Sequence, residues 1–145
     1  MASAPAGGNA ERDIVDQALQ DIQRDTDPVG HRAAARVRLS LFCRVHAVDE
    51  TTGRVSSVSE HARTTDIARD GLALVTDQAH CAGRMLLVLL PVSRGQIRAL
   101  SGRVRRCTLG ENGRFVLGLE FESAPHRSAV ARWLEASCPG ATLLP

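Results

Sequence analysis

Arg36-Val37-Arg38-Leu39-Ser40-Leu41-Phe42-Cys43-Arg44-Val45-His46 alternates with a period of two. Val37, Leu39, Leu41, Cys43 and Val45 fall on one side. Arg36, Arg38, Ser40, Arg44 and His46 fall on the other, with Phe42 the exception. Successive side chains of a strand point to opposite faces, so this stretch predicts a long, half-buried strand. The chain that follows keeps to short extended runs and turns. Asp49-Glu50-Thr51-Thr52-Gly53 reads as a hairpin turn, and Arg54 to about Thr65, rich in Val, Thr and Ser, as a returning strand. Leu72 to Val75 predicts a short strand, Thr76 to Gly83 a loop, and Arg84 to Leu90 a nearly continuous apolar strand. Pro91 to Gly95 turns the chain and Gln96 to Cys107 alternates again. Glu111-Asn112-Gly113 carries a tight-hairpin signal before Phe115 to Phe121 returns. Ser123-Ala124-Pro125 marks a helix start with Ser123 as N-cap, and Ala129, Val130, Trp133 and Leu134 share one face until Pro139-Gly140.

Upstream, residues 1–9 hold little to bury and read as a disordered tail. From Ala10 to Arg24 the apolar residues Ile14, Val15, Ala18, Leu19 and Ile22 recur at helical spacing, with acids on the other side. A helix of that length needs a surface, either the barrel or a partner. Asp25 to Gly30 reads as a linker. Six strands without intervening helices predict a mainly β fold, a closed six-stranded antiparallel β-barrel with an N-terminal amphipathic helix and a C-terminal helix. A nucleotide fold built on a parallel sheet is excluded, and neither G-x-G-x-x-G nor a Walker loop occurs. The expected organisation is tail, helix and linker over 1–30, the barrel with its C-terminal helix over 31–138, and a tail over 139–145.

Composition narrows the chemistry. The 145 residues suffice for one domain with a core. Every base is arginine, which suits bidentate contact with phosphate and guanine, or reflects genomic base composition. Residues 1–30 hold six acids and two arginines, a charge of −4, so the net +2 of the chain leaves +6 on the rest. Cys43, Cys81, Cys107 and Cys138 have no metal-ligand spacing and read as reduced, mostly buried thiols. The five histidines are scattered, no nucleophile turn is present, and no catalytic or metal-ligating set emerges. With three Phe, one Trp and no Tyr, too few aromatics are spare to stack the bases of DNA or RNA. Nothing resembles a signal peptide, and the run from Met85 to Leu90 is too short for membrane insertion. The expectation is a soluble cytoplasmic protein without cofactors.

Two polar stretches remain. Asp66-Ile67-Ala68-Arg69-Asp70-Gly71 breaks one strand and restarts another, and His31-Arg32-Ala33-Ala34-Ala35-Arg36 sets two arginines four apart at the start of the first strand. Each has an ordinary reading, a turn-capping aspartate and a solvated basic linker. Together they form a candidate anion site.

Arg32-x-x-x-Arg36 followed by Asp66-x-Ala68-x-x-Gly71 resembles the R-x-x-x-R and [D/N]-x-S-x-x-G pair of PilZ domains. Gly102-Arg103-Val104 and Val116 to Phe121 resemble the late strands of that family. The likeness spans roughly residues 30 to 136. It implies a six-stranded barrel that binds cyclic di-GMP, a bacterial second messenger, and passes the signal to a protein partner. By that resemblance Arg32 and Arg36 wrap the ligand, Asp66 accepts from a guanine N1–H and N2–H, and Gly71 admits a close backbone or a positive φ. His31 could assist when protonated, Arg69 could reach the ligand from the turn, and Arg103 could supplement phosphate contacts or stand on a solvated face. Alternation puts Arg103 and Arg105 on one face with Arg106 opposite. Ala68 replaces the motif serine and removes one hydroxyl contact, worth roughly 0.5–1.5 kcal/mol. The alternative is a barrel that has lost nucleotide binding and serves as a protein-interaction module.

Overall fold

The computed structural model describes residues 36–92 and 95–145. The N-terminal helix expected over residues 10–24 and the linker after it lie outside the described residues. Eight strands and one helix follow in the order β1 (Val37–Arg38), β2 (Phe42–Val48), β3 (Glu60–Ile67), β4 (Gly71–Thr76), β5 (Met85–Pro91), β6 (Ile97–Leu109), β7 (Phe115–Phe121), α1 (Arg127–Ser137) and β8 (Ala141–Leu143).

Antiparallel pairing runs β3–β2–β5–β6–β7–β4, and β4 returns to β3, which closes a six-stranded barrel as the alternation predicted. Its interior is aliphatic. Cys43, Val45, Leu72, Leu74, Leu117 and Leu119 point inward from their strands, joined by Leu41 just before β2. The apolar run of β5 serves two cores at once. Leu86, Val88 and Leu90 enter the barrel, while Met85, Leu87 and Leu89 face outward beneath Val130, Leu134 and Cys138. A strand covered on both sides reads as continuous apolar sequence for that reason.

Five details depart from the sequence expectation. The long first strand is split, because the register to β3 slips by one residue between Arg38↔Asp66 and Phe42↔Arg63. The Thr64 side chain fills the gap: its Oγ1 accepts from Leu41 N–H at 3.0 Å and donates to Leu39 O at 2.6 Å. The returning strand begins at Glu60, not Arg54, with only an isolated bridge Val48↔Val55 before it. Ser123 does not cap α1; His126, at φ 49° and ψ 57°, stands at the N-cap without a side-chain bond. Residues 141–143, expected within a tail, form β8 parallel to the start of β6. The Arg127 guanidinium ties them down, donating to Leu143 O and Leu144 O at 2.9 and 3.0 Å. Of the four thiols only Cys43 and Cys138 are buried, and Cys81 is exposed. The Asn112-Gly113 hairpin forms as predicted, with positive φ at both residues as such tight turns require.

Candidate functional site

Arg36 and Asp66, one from each polar stretch, meet. Arg36 leads into β1, and the β1–β3 pairing brings it beside Asp66 near the end of β3, thirty residues away. Its Nε and Nη2 both donate to Asp66 Oδ1, at 2.9 and 2.8 Å. Both side chains are reachable from solvent, at 54% and 26% exposure. An exposed pair of this kind contributes about 0–1 kcal/mol, so either group can take another partner at small cost.

Past Asp66, the Ala68 N–H donates to Gly71 O at 2.8 Å and closes the turn into β4. Ala68 is buried, so its methyl sits where no solvent reaches. Gly71 is required by proximity, not by φ: a Cβ there would lie 1.9 Å from Leu119 O on β7. Arg69 sits in the same turn and is engaged within the chain. His31 and Arg32 lie outside the described residues.

Arg103 is placed differently. All five of its N–H donors are used: Nε and Nη2 reach the two Glu122 oxygens, Nη1 and Nη2 reach the two Glu50 oxygens, and Nη1 also reaches Gly83 O, all at 2.8–3.0 Å. That fork holds the Glu50 and Glu122 carboxyls below the usual carboxylate range. Arg105 extends the network to Glu120 and Glu122. The structure does not bring Arg103 to Asp66; it ties the loop after β2 to the end of β7.

The arginine on the Asp66 face is Arg106. Alternation predicted it opposite to Arg105, but a register shift between Val104 and Arg106 exposes both. A bulge does this by adding one residue to one strand. Arg38, Asp66, Ala73, Gly118 and Arg106 are then successive cross-strand partners over β1, β3, β4, β7 and β6. At a spacing of about 4.8 Å per strand, Asp66 and Arg106 stand roughly 14 Å apart. Between them lie only a methyl and a glycine, and the Arg106 Nε would be 3.4 Å from a Cβ at Gly118. The row is a shallow platform with a carboxylate at one end, guanidinium groups at both, and small residues between. A flat ring can rest on such a floor, while the arginines supply paired donors for phosphate or guanine. A glycine inside a strand was the available signal for this platform; the register that aligns it with Asp66 was not.

Other chemistry is sparse. His80 Nε2 meets Glu60 Oε1 at 2.7 Å, while Glu60 Oε2 accepts from the N–H groups of Asp77 and Gln78, so this carboxylate organises a loop. Burial pushes the Cys43 thiol up to about 12, which removes it as a nucleophile. Among the described residues no group of three His, Cys, Asp or Glu side chains could hold a metal ion. No helix among them is long and apolar enough to cross a membrane.

A family model described as "PilZ domain" matches residues 31–136. No curated protein matches the chain. Among solved structures, the inhibitor of motility MotI/DgrA of Bacillus subtilis is similar at 15% identity and a TM-score of 0.48, over 74% of this chain and 51% of that one. The PilZ domain of YcgR from Escherichia coli, solved with c-di-GMP, is similar at 12% identity and a TM-score of 0.45, over 73% of this chain and 94% of that one. The K. pneumonia MrkH–c-di-GMP complex is similar at 15% identity and a TM-score of 0.47, over 74% of this chain and 52% of that one. The chain thus spans about half the length of MotI/DgrA and MrkH.

Proposed function

The chain belongs to the PilZ domain family, and from that premise we propose that it is a cyclic di-GMP receptor whose N-terminal segment re-orders on binding and signals to a protein partner. The observation that carries this reading is the Arg36–Asp66 contact at the edge of the small-residue platform. A cyclic dinucleotide presents two phosphates and two guanine edges. Asp66 accepts from guanine N1–H and N2–H, and the Arg36 guanidinium, released from the carboxylate, turns with Arg32 to phosphate or to guanine O6 and N7. Ala73 and Gly118 let the ligand lie close to the sheet, and Arg106 meets its far side.

The weak, exposed Arg36–Asp66 pair is exchanged for ligand contacts at little cost, whereas Arg103 would have to give up five bonds. Arg36 therefore belongs to the ligand and Arg103 to the scaffold. Ordering of residues 31–36 across the platform is the conformational step, and it draws the segment before them with it.

The test is calorimetric titration of the full chain with cyclic di-GMP, repeated with Arg32→Ala, Asp66→Ala and Arg106→Ala. Binding weakened at least tenfold by each variant, with unchanged circular dichroism, is the expected result. No heat at high micromolar nucleotide would overturn the reading and leave the interaction-module alternative, which the buried methyl of Ala68, in place of a hydroxyl, favours.

A further inference from the structure

The outer face that carries Asp66 continues into a second stripe that the proposed receptor chemistry does not use. Phe42, Arg63, Val75, Val116 and Thr108 are successive cross-strand partners over β2, β3, β4, β7 and β6. Phe42 is 72% exposed and Val116 37%, although both are large and apolar. The Arg63 guanidinium lies over the Phe42 ring, 5.2 Å from its centre. Alongside runs an open groove of about 790 Å³, with Val75 and Val116 among its apolar lining and Arg38, Arg63 and Arg114 on its walls. Glu111 is the one acid that lines it. An apolar floor beneath three arginines fits an amphipathic segment of negative charge.

The chain supplies such a segment. Over residues 10–24, Ile14, Val15, Ala18, Leu19 and Ile22 recur at helical spacing, and Glu11, Asp13, Asp16 and Asp21 outnumber Arg12 and Arg24 by two. Residues 25–35 join it to Arg36, and Arg38 is already part of the groove wall. Eleven residues reach up to about 36 Å when extended, so the tether spans the face easily. A short tether also gives an effective concentration in the millimolar range, at which a weak contact is populated.

We propose that residues 10–24 dock on their own barrel, with the apolar side on Phe42, Val75 and Val116 and the net negative charge among Arg38, Arg63 and Arg114. The docking needs no nucleotide and stands whether or not cyclic di-GMP binds.

Amide exchange by mass spectrometry on the full, nucleotide-free chain at low micromolar concentration tests it. Amides of residues 10–24 should exchange at least tenfold more slowly than in a peptide of residues 1–30. That protection should vanish in full-length Val116→Glu and in full-length Phe42→Ser; both positions are exposed, and an unchanged urea midpoint confirms the barrel. Free-peptide exchange rates in the wild-type chain would overturn the proposal, as would protection that survives both variants. Protection that grows with protein concentration alongside a dimer in sedimentation would also overturn it, by placing the segment on a second copy.

Discussion

Replacing Thr64 with valine should unfold the barrel far more easily than a near-isosteric change in a strand otherwise would. Thr64 is 3% exposed, and its hydroxyl bridges Leu41 N–H and Leu39 O where the ladder between β1–β2 and β3 slips. Valine keeps the shape and raises β propensity but leaves one buried donor and one buried acceptor without that partner. Each orphan costs about 1–3 kcal/mol, and the extra apolar contact offsets part of it, so a net loss of about 2–4 kcal/mol is expected. Urea unfolding followed by the fluorescence of Trp133, the only tryptophan, reads this directly. At a slope typical of small domains the midpoint falls by roughly 1–2 M with the slope unchanged. Thr64→Ser keeps both bonds and should lose about 1 kcal/mol for the missing methyl. A Thr64→Val unfolding free energy within about 0.5 kcal/mol of wild type, which is surface-like behaviour, would refute the bridging role.

Gly71→Ala should cost about 3 kcal/mol or more, since a Cβ at 1.9 Å from Leu119 O forces β4 away from β7; a melt like that of wild type would show that the strands can part freely. Ala68→Ser restores the hydroxyl of the motif and should tighten cyclic di-GMP about two- to twelvefold in calorimetry, at some loss of stability because the site is buried. Equal or weaker affinity would place Ala68 outside the pocket. His46 gives a pH dependence. Its Nδ1–H donates to Ser56 O at 2.8 Å, Nε2 is buried without a partner among the described residues, and burial lowers its pKa from 6.5. The folded state therefore resists a proton that the unfolded chain accepts, so stability is full above pH 6.5 and declines as pH falls below it. Urea midpoints at pH 7.5 and 5.5 should converge in His46→Gln. The carboxyls of Glu50 and Glu122 titrate below their ordinary 4.5, so the stability they confer is present above pH 4.5 and lost as pH drops further. Arg103→Gln should flatten that acid slope, and an unchanged acid-unfolding curve would mean the fork is energetically idle.

Much of the barrel could be read from side-chain period, because alternation reports burial on one face directly. The stretch from Val37 to Val45 announced its inward set correctly, and the unbroken run of β5 signalled cover on both sides. Arg54 to Ser59 misled because Val55 and Val58 suit a strand, while the serines between them favour turns, and only Val55 forms a bridge to a strand. β8 carried no signal, since three residues show no period and their fixation depends on Arg127, sixteen residues upstream of Leu143. In the candidate site, Arg36 and Asp66 were legible by residue type and spacing. Arg106 and Ala73 were not, and Gly118 showed only as a glycine inside a strand, because their alignment depends on cross-strand register and on one extra residue at Arg105.

The connectivity of the barrel gives the platform a further property. β2–β3–β4 and β5–β6–β7 are two three-stranded meanders, each paired within itself by neighbours in sequence, and they join along only two seams, β2–β5 and β4–β7. Asp66 and Ala73 stand on the first meander, Gly118 and Arg106 on the second, so the platform straddles the β4–β7 seam. A ligand resting on it would touch both meanders at once. A ligand that binds only when both meanders are paired would stabilise the closed cylinder by mass action.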